Sequence, residues 1–146
     1  MISIRPITHQ DSMIFQDTSY GTMDDESLQS MICESIARSH DGRYFEMFAV
    51  YCDEACVGFV SLYACVKTEV SCGPEINPQY RMHGFAYDAV ILAMDYAKSI
   101  GYKTAVAQIR QDNEASIALH KKLGFSLIKE FTNNRGKLVY WFEKDL

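Results

Sequence analysis

One stretch of the 146-residue sequence decides how the rest of the chain is interpreted: Glu75-Ile76-Asn77-Pro78-Gln79-Tyr80-Arg81-Met82-His83-Gly84-Phe85-Ala86. It predicts a strand end, a polar turn and the start of a helix, because apolar residues follow at near-helical spacing until Gly101 supplies a stop. The first turn of a helix presents unpaired N–H groups with partial positive charge, so a pyrophosphate can bind there. Gly84 and Ala86 leave room for this anion, and Arg81 adds a full charge beside it. The stretch therefore predicts a phosphate-binding loop, although a glycine before a helix on its own more often marks only a turn.

The arrangement Arg81-x-x-Gly84-x-Ala86 resembles the acyl-CoA pyrophosphate loop of the GNAT superfamily of N-acetyltransferases. A second block resembles that family's Asn-x-x-(Ala/Ser)-x-x-Leu-Tyr-x-x-x-Gly-Phe motif, with His120 in place of the tyrosine. This block is Asn113-Glu114-Ala115-Ser116-Ile117-Ala118-Leu119-His120-Lys121-Lys122-Leu123-Gly124-Phe125. Two motifs in the right order are far more specific than either alone. The resemblance is clear from residue 57 onward and extends to residues 1–56 by pattern, which implies a single acetyltransferase domain over residues 1–146.

Length and composition agree with one ordinary globular domain. A chain of 146 residues can bury a hydrophobic core without the help of disulfides or metals. Its 48% hydrophobic and 23% charged residues are typical of soluble proteins. The net charge of −5 argues against nucleic acid as the main partner, because phosphate contacts need clustered Lys and Arg. No run approaches the ~20 apolar residues of a membrane span, so no membrane partner is expected.

The cysteines predict a reducing compartment. Cys33, Cys52, Cys56, Cys65 and Cys72 form neither a Cys-x-x-Cys pair nor a zinc pattern, so we expect no metal. An odd count of cysteines without a signal peptide indicates free thiols and a cytoplasmic location.

In chain order, the sequence predicts the elements β-α-α-β-β-β-α-β-α-β-β. Alternation places a first strand near residues 2–7, and Thr8 or Asp11 caps a first helix that reaches about Tyr20. Residues 24–39 form a second helix, and Gly58 marks a bulge or a close approach in the third strand. Lys67-Thr68 turns the chain into a fourth strand, which forms a parallel pair with the strand after the next helix. The remaining elements are helices 84–100 and 113–123 and strands 104–109, 125–131 and 138–144.

The resemblance implies an α+β fold with a mixed, largely antiparallel sheet of six to seven strands, flanked by about four helices. It implies that the fourth and fifth strands splay apart, and that the pantetheine arm of acetyl-CoA pairs with exposed backbone of the fourth strand. The donor-binding residues that it implies are Ile76, Arg81, Met82, His83, Gly84, Phe85, Ala86, Asn113 and Ser116.

The implied chemistry is direct attack of a neutral amine on the thioester within a ternary complex, which needs no covalent nucleophile. A backbone N–H near Ile76 would polarise the carbonyl. His120 stands where the motif's tyrosine, the usual proton donor, would be, and an unperturbed histidine pKa of about 6.5 suits that role. A structural or solvent-facing histidine is the alternative interpretation.

Glu75 is the predicted general base. Some family members use a glutamate on the fifth strand, but this sequence has Gln108 there, and an amide cannot accept the proton. Glu69 and Glu75 share one face of the fourth strand, and Glu75 lies nearer the splay. A solvated strand-end carboxylate with water as the base is the alternative.

The acceptor side is the least motif-like part of the chain. In the resembling family the two N-terminal helices form this wall, where Tyr20 and Asp24 would bind an amine through an aromatic face and a carboxylate. Capping and core packing are the alternatives for these residues. Tyr140 and Trp141 alternate across the last strand, so one of them faces the acceptor, and Tyr140 is taken as the candidate.

The sequence therefore predicts an acetyl-CoA-dependent N-acetyltransferase that acts on a primary amine, either a small amine or a protein amine. The alternative is an acyl-CoA-binding sensor of the same fold without turnover, motivated by His120 and Gln108 at positions where catalytic residues are expected. A homodimer through an exposed final strand or helix is compatible with the sequence.

Overall fold

The computed structural model describes residues 1–66 and 68–146, so Lys67 of the predicted Lys67-Thr68 turn lies outside the described residues. These residues form one seven-stranded sheet in the order β1-β2-β3-β4-β5-β7-β6. All neighbouring strands are antiparallel except β4 and β5, which are parallel as predicted. The strands are β1 Ile2–Pro6, β2 Phe45–Cys52, β3 Ala55–Ala64, β4 Glu69–Ile76, β5 Thr104–Arg110, β6 Ser126–Thr132 and β7 Leu138–Asp145. The helices are α1 Asp25–Ala37, α2 Phe85–Ser99 and α3 Glu114–Lys122.

The predicted α+β fold is confirmed, with three α-helices where about four were expected. The predicted first helix is only a 3₁₀ turn at Ser12–Phe15. Its proposed cap, Asp11, is held instead by two hydrogen bonds of 2.8 Å from Arg5 and by one of 2.6 Å from the amide N–H of Thr8. A cap residue must accept from the turn that follows it, so an Asp11 held by preceding residues leaves the α-helix without a start.

The core has two layers, one on each face of the sheet. Under α2 and α3, a large cluster of apolar side chains from β2–β5 and β7 packs against α2, including Leu62, Val70, Ala93 and Phe142. On the other face, α1 and the 3₁₀ turn cover a smaller cluster whose strand members lie in β2 and β3 alone. That face is therefore open over β4, β5 and β7. No described helix is long and apolar enough to cross a membrane.

The splay between β4 and β5 begins after three residue pairs. The parallel ladder runs from Glu69↔Thr104 to Ser71↔Val106, whereas β3 stays paired with β4 up to Ile76. Backbone groups alternate along a strand, and the Asn77 amide and the Glu69 carbonyl both bond to the β3 side, so positions 72, 74 and 76 turn their backbone groups toward the splay. Position 74 is Pro74, which has no N–H to offer β5. Pro74 in the sequence of the fourth strand therefore helps to explain why the fourth and fifth strands separate.

Gly58 lies beside a bulge and is itself a close approach, because Gly58 pairs with Val50 and Cys56 with Tyr51, which leaves Val57 as the extra residue. The register of β2 and β3 shifts between Val50 and Tyr51, opposite this part of β3. A Cβ atom at Gly58 would lie 2.2 Å from the carbonyl oxygen of Glu75 and 2.9 Å from the Cα of Ile76. Only a residue without a side chain lets β3 approach the end of β4 this closely.

We expect Gly58→Ala to destabilise the fold by about 1–3 kcal/mol, because the added methyl group meets backbone atoms that cannot move independently. Gly73→Ala is the matched control, since its Cβ would meet only the Ser61 hydroxyl, at 3.4 Å. Urea unfolding of both variants measures the difference. Equal stability of the two variants would contradict the assigned role of Gly58.

Candidate active site

A cleft of about 650 Å³ opens where β4 leaves β5, between the start of α2 and the body of α3. It brings together most of the residues predicted from the two motifs, and leaves the side chains of His83 and His120 outside its lining. Its walls are Pro74, Glu75, Ile76, Tyr80, Arg81, Met82, Gly84, Phe85, Ala86, Tyr87, Asn113, Ala115, Ser116, Leu119 and Lys122.

The loop before α2 is shaped to present amide groups. Met82 and Gly84 both have left-handed backbone angles, with φ of 69° and 78°, and Met82 is 98% exposed. A non-glycine residue in this conformation is strained, and such strain is often found at ligand-binding loops. Asp88 donates the first helical bond to Gly84, and within the described residues the amides of positions 82–87 have no backbone acceptor. Together with the dipole of α2, these amides form an anion site.

Two cations flank this anion site. Arg81 donates from Nε to the carbonyl oxygen of Ile76 at 3.0 Å, which ties its side chain to the end of β4. Lys122 holds its Nζ 4.6 Å from the centre of the Tyr87 ring, across from α2. Sequence reasoning missed Lys122, because nothing in the second motif singles it out and only the packing of α3 against α2 brings it to the cleft.

The second motif supplies one wall of the cleft from the start of α3. Asn113 is the N-cap of this helix, and its Oδ1 accepts from the Ser116 amide at 3.2 Å. The helix-cap interpretation is therefore correct for its oxygen. Asn113 also lines the cleft, and its Nδ2 group remains the predicted contact for the donor.

His120 lies behind this wall, only 3% exposed. Its Nδ1 donates to the carbonyl oxygen of Ser116 at 2.8 Å, and its ring meets Phe125 edge-on at 4.9 Å. Because a carbonyl can only accept, Nδ1 carries the proton, and Nε2 is a buried acceptor without a partner among the described residues. Burial lowers the pKa of His120, against the opposing effect of the Ser116 bond. The ring is thus neutral near pH 7.

Glu75 forms the opposite wall, where β4 meets the loop that precedes α1. Its two carboxylate oxygens accept from the amide and the hydroxyl of Ser19, each at 2.6 Å. Tyr20 packs its ring against Phe59 at 5.5 Å, and burial followed by the charge of Glu75 raises the pKa of its hydroxyl. The structure therefore brings Glu75 and Tyr20 together, as the acceptor hypothesis requires.

The other two acceptor candidates lie elsewhere. Asp24 is exposed and caps α1 by accepting from the Ser27 amide at 2.7 Å, which lowers the pKa of its carboxyl. Tyr140 pairs with Ile109 and joins the core cluster under α2 and α3. Trp141 pairs with Gln108 and shares the face of Glu75, so of the two alternating aromatics it is Trp141 that faces the acceptor side.

The model of the acetyltransferase (GNAT) domain family matches residues 2–126, and the chain belongs to this family of acetyltransferase enzymes. The fold and the family predicted from the two motifs are confirmed. No curated protein matched the sequence.

Solved structures of the same fold match almost the whole chain. A spermidine N-acetyltransferase SpeG chimera from Vibrio cholerae and hSSAT has a TM-score of 0.82 at 17% identity, over 98% of this chain and 95% of that one. An acetyltransferase from Salmonella typhimurium that modifies the N-terminal serine of ribosomal protein L7/L12 has a TM-score of 0.82 at 15% identity, over 99% and 95%. The L7/L12 alpha-N-protein acetyltransferase RimL in complex with coenzyme A has a TM-score of 0.80 at 17% identity, over 99% and 94%.

The anion site is tested by Gly84→Glu, which should lower acetyl-CoA affinity by at least about thirtyfold, or ~2 kcal/mol, because a carboxylate replaces the phosphate at the helix start. Gly136→Glu is the matched control. Both glycines have positive φ and open space around the absent Cβ, so both variants bear a similar strain of about 1–2 kcal/mol. Calorimetric titration measures the affinities, and equal affinities in the two variants would remove the phosphate-loop assignment.

Proposed function

We propose that this protein transfers the acetyl group of acetyl-CoA to a primary amine by direct attack within a ternary complex. The observation that carries the proposal is the cleft itself. It has free amides and two cations at one end, an unpaired strand edge along its length and a carboxylate on its acceptor wall.

The donor end of the cleft suits the phosphates and the pantetheine of acetyl-CoA. The amides at the start of α2, with Arg81 and Lys122, would hold the pyrophosphate. Beyond Ser71 the edge of β4 has no partner strand, and the Pro74 carbonyl and the Ile76 amide are left for pairing, since Pro74 has no N–H and Arg81 already bonds the Ile76 carbonyl. The amide of Ile76 turns toward this edge, so it is the group placed to polarise the thioester carbonyl.

On the acceptor wall, Glu75 takes the proton that an ammonium ion must lose before it can attack. The amine nitrogen then forms a bond to the carbonyl carbon, and the bond from that carbon to sulfur breaks. The new amide nitrogen must release one more proton, and the departing thiolate must gain one. His120, neutral with an unpartnered Nε2, is proposed to receive the first of these protons and deliver it to the sulfur through an intervening water, because the ring is buried behind the α3 wall and does not line the cleft.

The acceptor is proposed to be a primary amine on the open face of the sheet beside Glu75. Trp141 contributes an aromatic surface there, with its Nε1 fixed by Glu143 at 2.7 Å and the Lys129 ammonium 4.9 Å from its ring centre. The acceptors of the structural neighbours, spermidine and an N-terminal serine, are both primary amines. All five cysteines are unpaired, which fits the proposed cytoplasmic location.

The first test is calorimetric titration with acetyl-CoA, with desulfo-CoA and ATP as controls. We expect saturable binding of both CoA compounds and none of ATP, because the cleft pairs with pantetheine as well as with phosphate. Release of CoA thiol is then measured with spermidine and with a short peptide that starts with serine. Thiol release above hydrolysis supports the enzyme, whereas binding without release with any amine tested favours the sensor alternative.

His120→Phe should lower turnover roughly tenfold and leave acetyl-CoA affinity within about twofold. The effect is below the usual range for acid–base catalysis because a thiolate is a fairly good leaving group. Wild-type turnover in this variant would show that His120 takes no part in the proton transfer.

The burial of His120 can also be tested through the pH dependence of the free energy of unfolding. Its folded pKa is lowered, so the unfolded chain binds the proton first, and stability is complete above about pH 6.5 and falls as the pH drops below it. Urea unfolding at pH 7.5 and 5.5 should therefore show a larger loss for wild type than for His120→Phe. An equal loss would show that the ring is not buried in its neutral form.

A further inference from the structure

The loop of residues 16–24, between the 3₁₀ turn and α1, is attached to the donor strand through one side chain. Ser19 donates its amide N–H to Oε2 of Glu75 and its hydroxyl to Oε1, each at 2.6 Å. Within the described residues no other hydrogen bond joins this loop to β4. The two partners are 56 positions apart in the chain, so no sequence motif contains both.

These two bonds determine which acceptor positions of Glu75 remain available. A carboxylate has two acceptor positions on each oxygen, and Ser19 occupies one on each. A carboxylate held at both oxygens is restricted about its last torsion. The positions left over remain available to an amine, and Glu75 is one of the residues that line the cleft.

Ser19 is presented by a loop that is ordered without help from Glu75. The hydroxyl of Thr18 donates to the carbonyl oxygen of Phe15 at 2.7 Å and accepts from the amide of Tyr20 at 3.2 Å. The Tyr20 ring packs edge-on against Phe15 at 5.8 Å, next to its contact with Phe59. The loop therefore places Ser19, and Ser19 in turn places the carboxylate.

We propose that Ser19 is a positioning residue for this reaction, which orients the Glu75 carboxylate to take the proton of the attacking amine. The inference rests on the proposed function, in which Glu75 is the base. The other titratable or charged groups that face this carboxylate or line its cleft are Tyr20 from the same loop, Arg81 before α2 and Lys122 on α3. None of these is altered by a change at Ser19.

Ser19→Ala removes the hydroxyl bond and keeps the amide bond. A donated hydrogen bond stabilises the charged carboxylate, so its loss makes protonation easier, and the acidic limb of the pH profile of kcat/KM moves to higher pH. We expect a shift of about half to one pH unit and a three- to tenfold loss of turnover, roughly the effect of one net hydrogen bond. Ser19→Thr restores the hydroxyl and should restore the limb, and acetyl-CoA affinity should not change.

The assay uses spermidine or the serine peptide, whichever is turned over. The same comparison can be read without an acceptor from the carboxyl carbon resonance of Glu75 in ¹³C-labelled protein as the pH is varied. Ser61→Ala is the matched control, because it removes a serine hydroxyl that donates to the Gly73 carbonyl oxygen of β4 but does not touch the Glu75 carboxylate. We expect Ser61→Ala to leave both the limb and the titration of the resonance unmoved.

Glu75→Gln separates failure of this inference from failure of the proposed function. If Glu75→Gln keeps the wild-type acidic limb, Glu75 is not the base, and the role of Ser19 falls with it. If Glu75→Gln abolishes the limb but Ser19→Ala leaves both the limb and the resonance titration unmoved, only the role of Ser19 is overturned. Equal shifts in Ser19→Ala and Ser61→Ala would likewise overturn the role of Ser19, because Ser61 makes no hydrogen bond to Glu75.

Discussion

The separation of β4 from β5 after Ser71 is the constraint on which the rest of this structure depends. A sheet normally keeps its neighbouring strands paired, because each unpaired buried N–H or C=O group is costly. Here Pro74 removes one donor from the side of β4 that would face β5, and Gly58 lets β3 approach closely enough to hold the other side. The edge that β5 leaves free is the edge along which an acyl-CoA arm would lie.

The two faces of the sheet are packed differently around the splay. α2 and α3 bury one face, and α1 covers only the first half of the other. Glu46, which is 5% exposed, joins these layers by accepting from the hydroxyls of Tyr44 and Tyr96 while Arg38 lies 3.3 Å away. This buried carboxylate links the C-terminal end of α1 to the last turn of α2, so it connects helices that lie on opposite faces of the sheet.

The site combines a buried neutral imidazole with a carboxylate that is held by hydrogen bonds. His120 is neutral because it is buried with a single donated bond, whereas Glu75 sits at the end of a strand with both oxygens held by one serine. The acceptor wall and the donor strand therefore meet at a carboxylate. In the proposed mechanism, residues 16–24, which carry no motif, would act on the base through Ser19.

The sequence by itself determined the family, the sheet and the donor loop, because those features are local. The glycine and arginine spacing before α2, the cap of α3 and the alternation of β4 each depend on residues within a few positions of one another. It did not show that Asp11 accepts hydrogen bonds from Arg5 and so does not cap the expected first helix. Nor did it show that Trp141, and not Tyr140, lies on the same face of the sheet as Glu75. Lys122 at the cleft, the buried Nε2 of His120 and the bonds from Ser19 to Glu75 were decided only by the tertiary structure. Each of these depends on packing between segments far apart in the chain, and a pattern read along one strand or helix carries no information about which distant side chain will meet it.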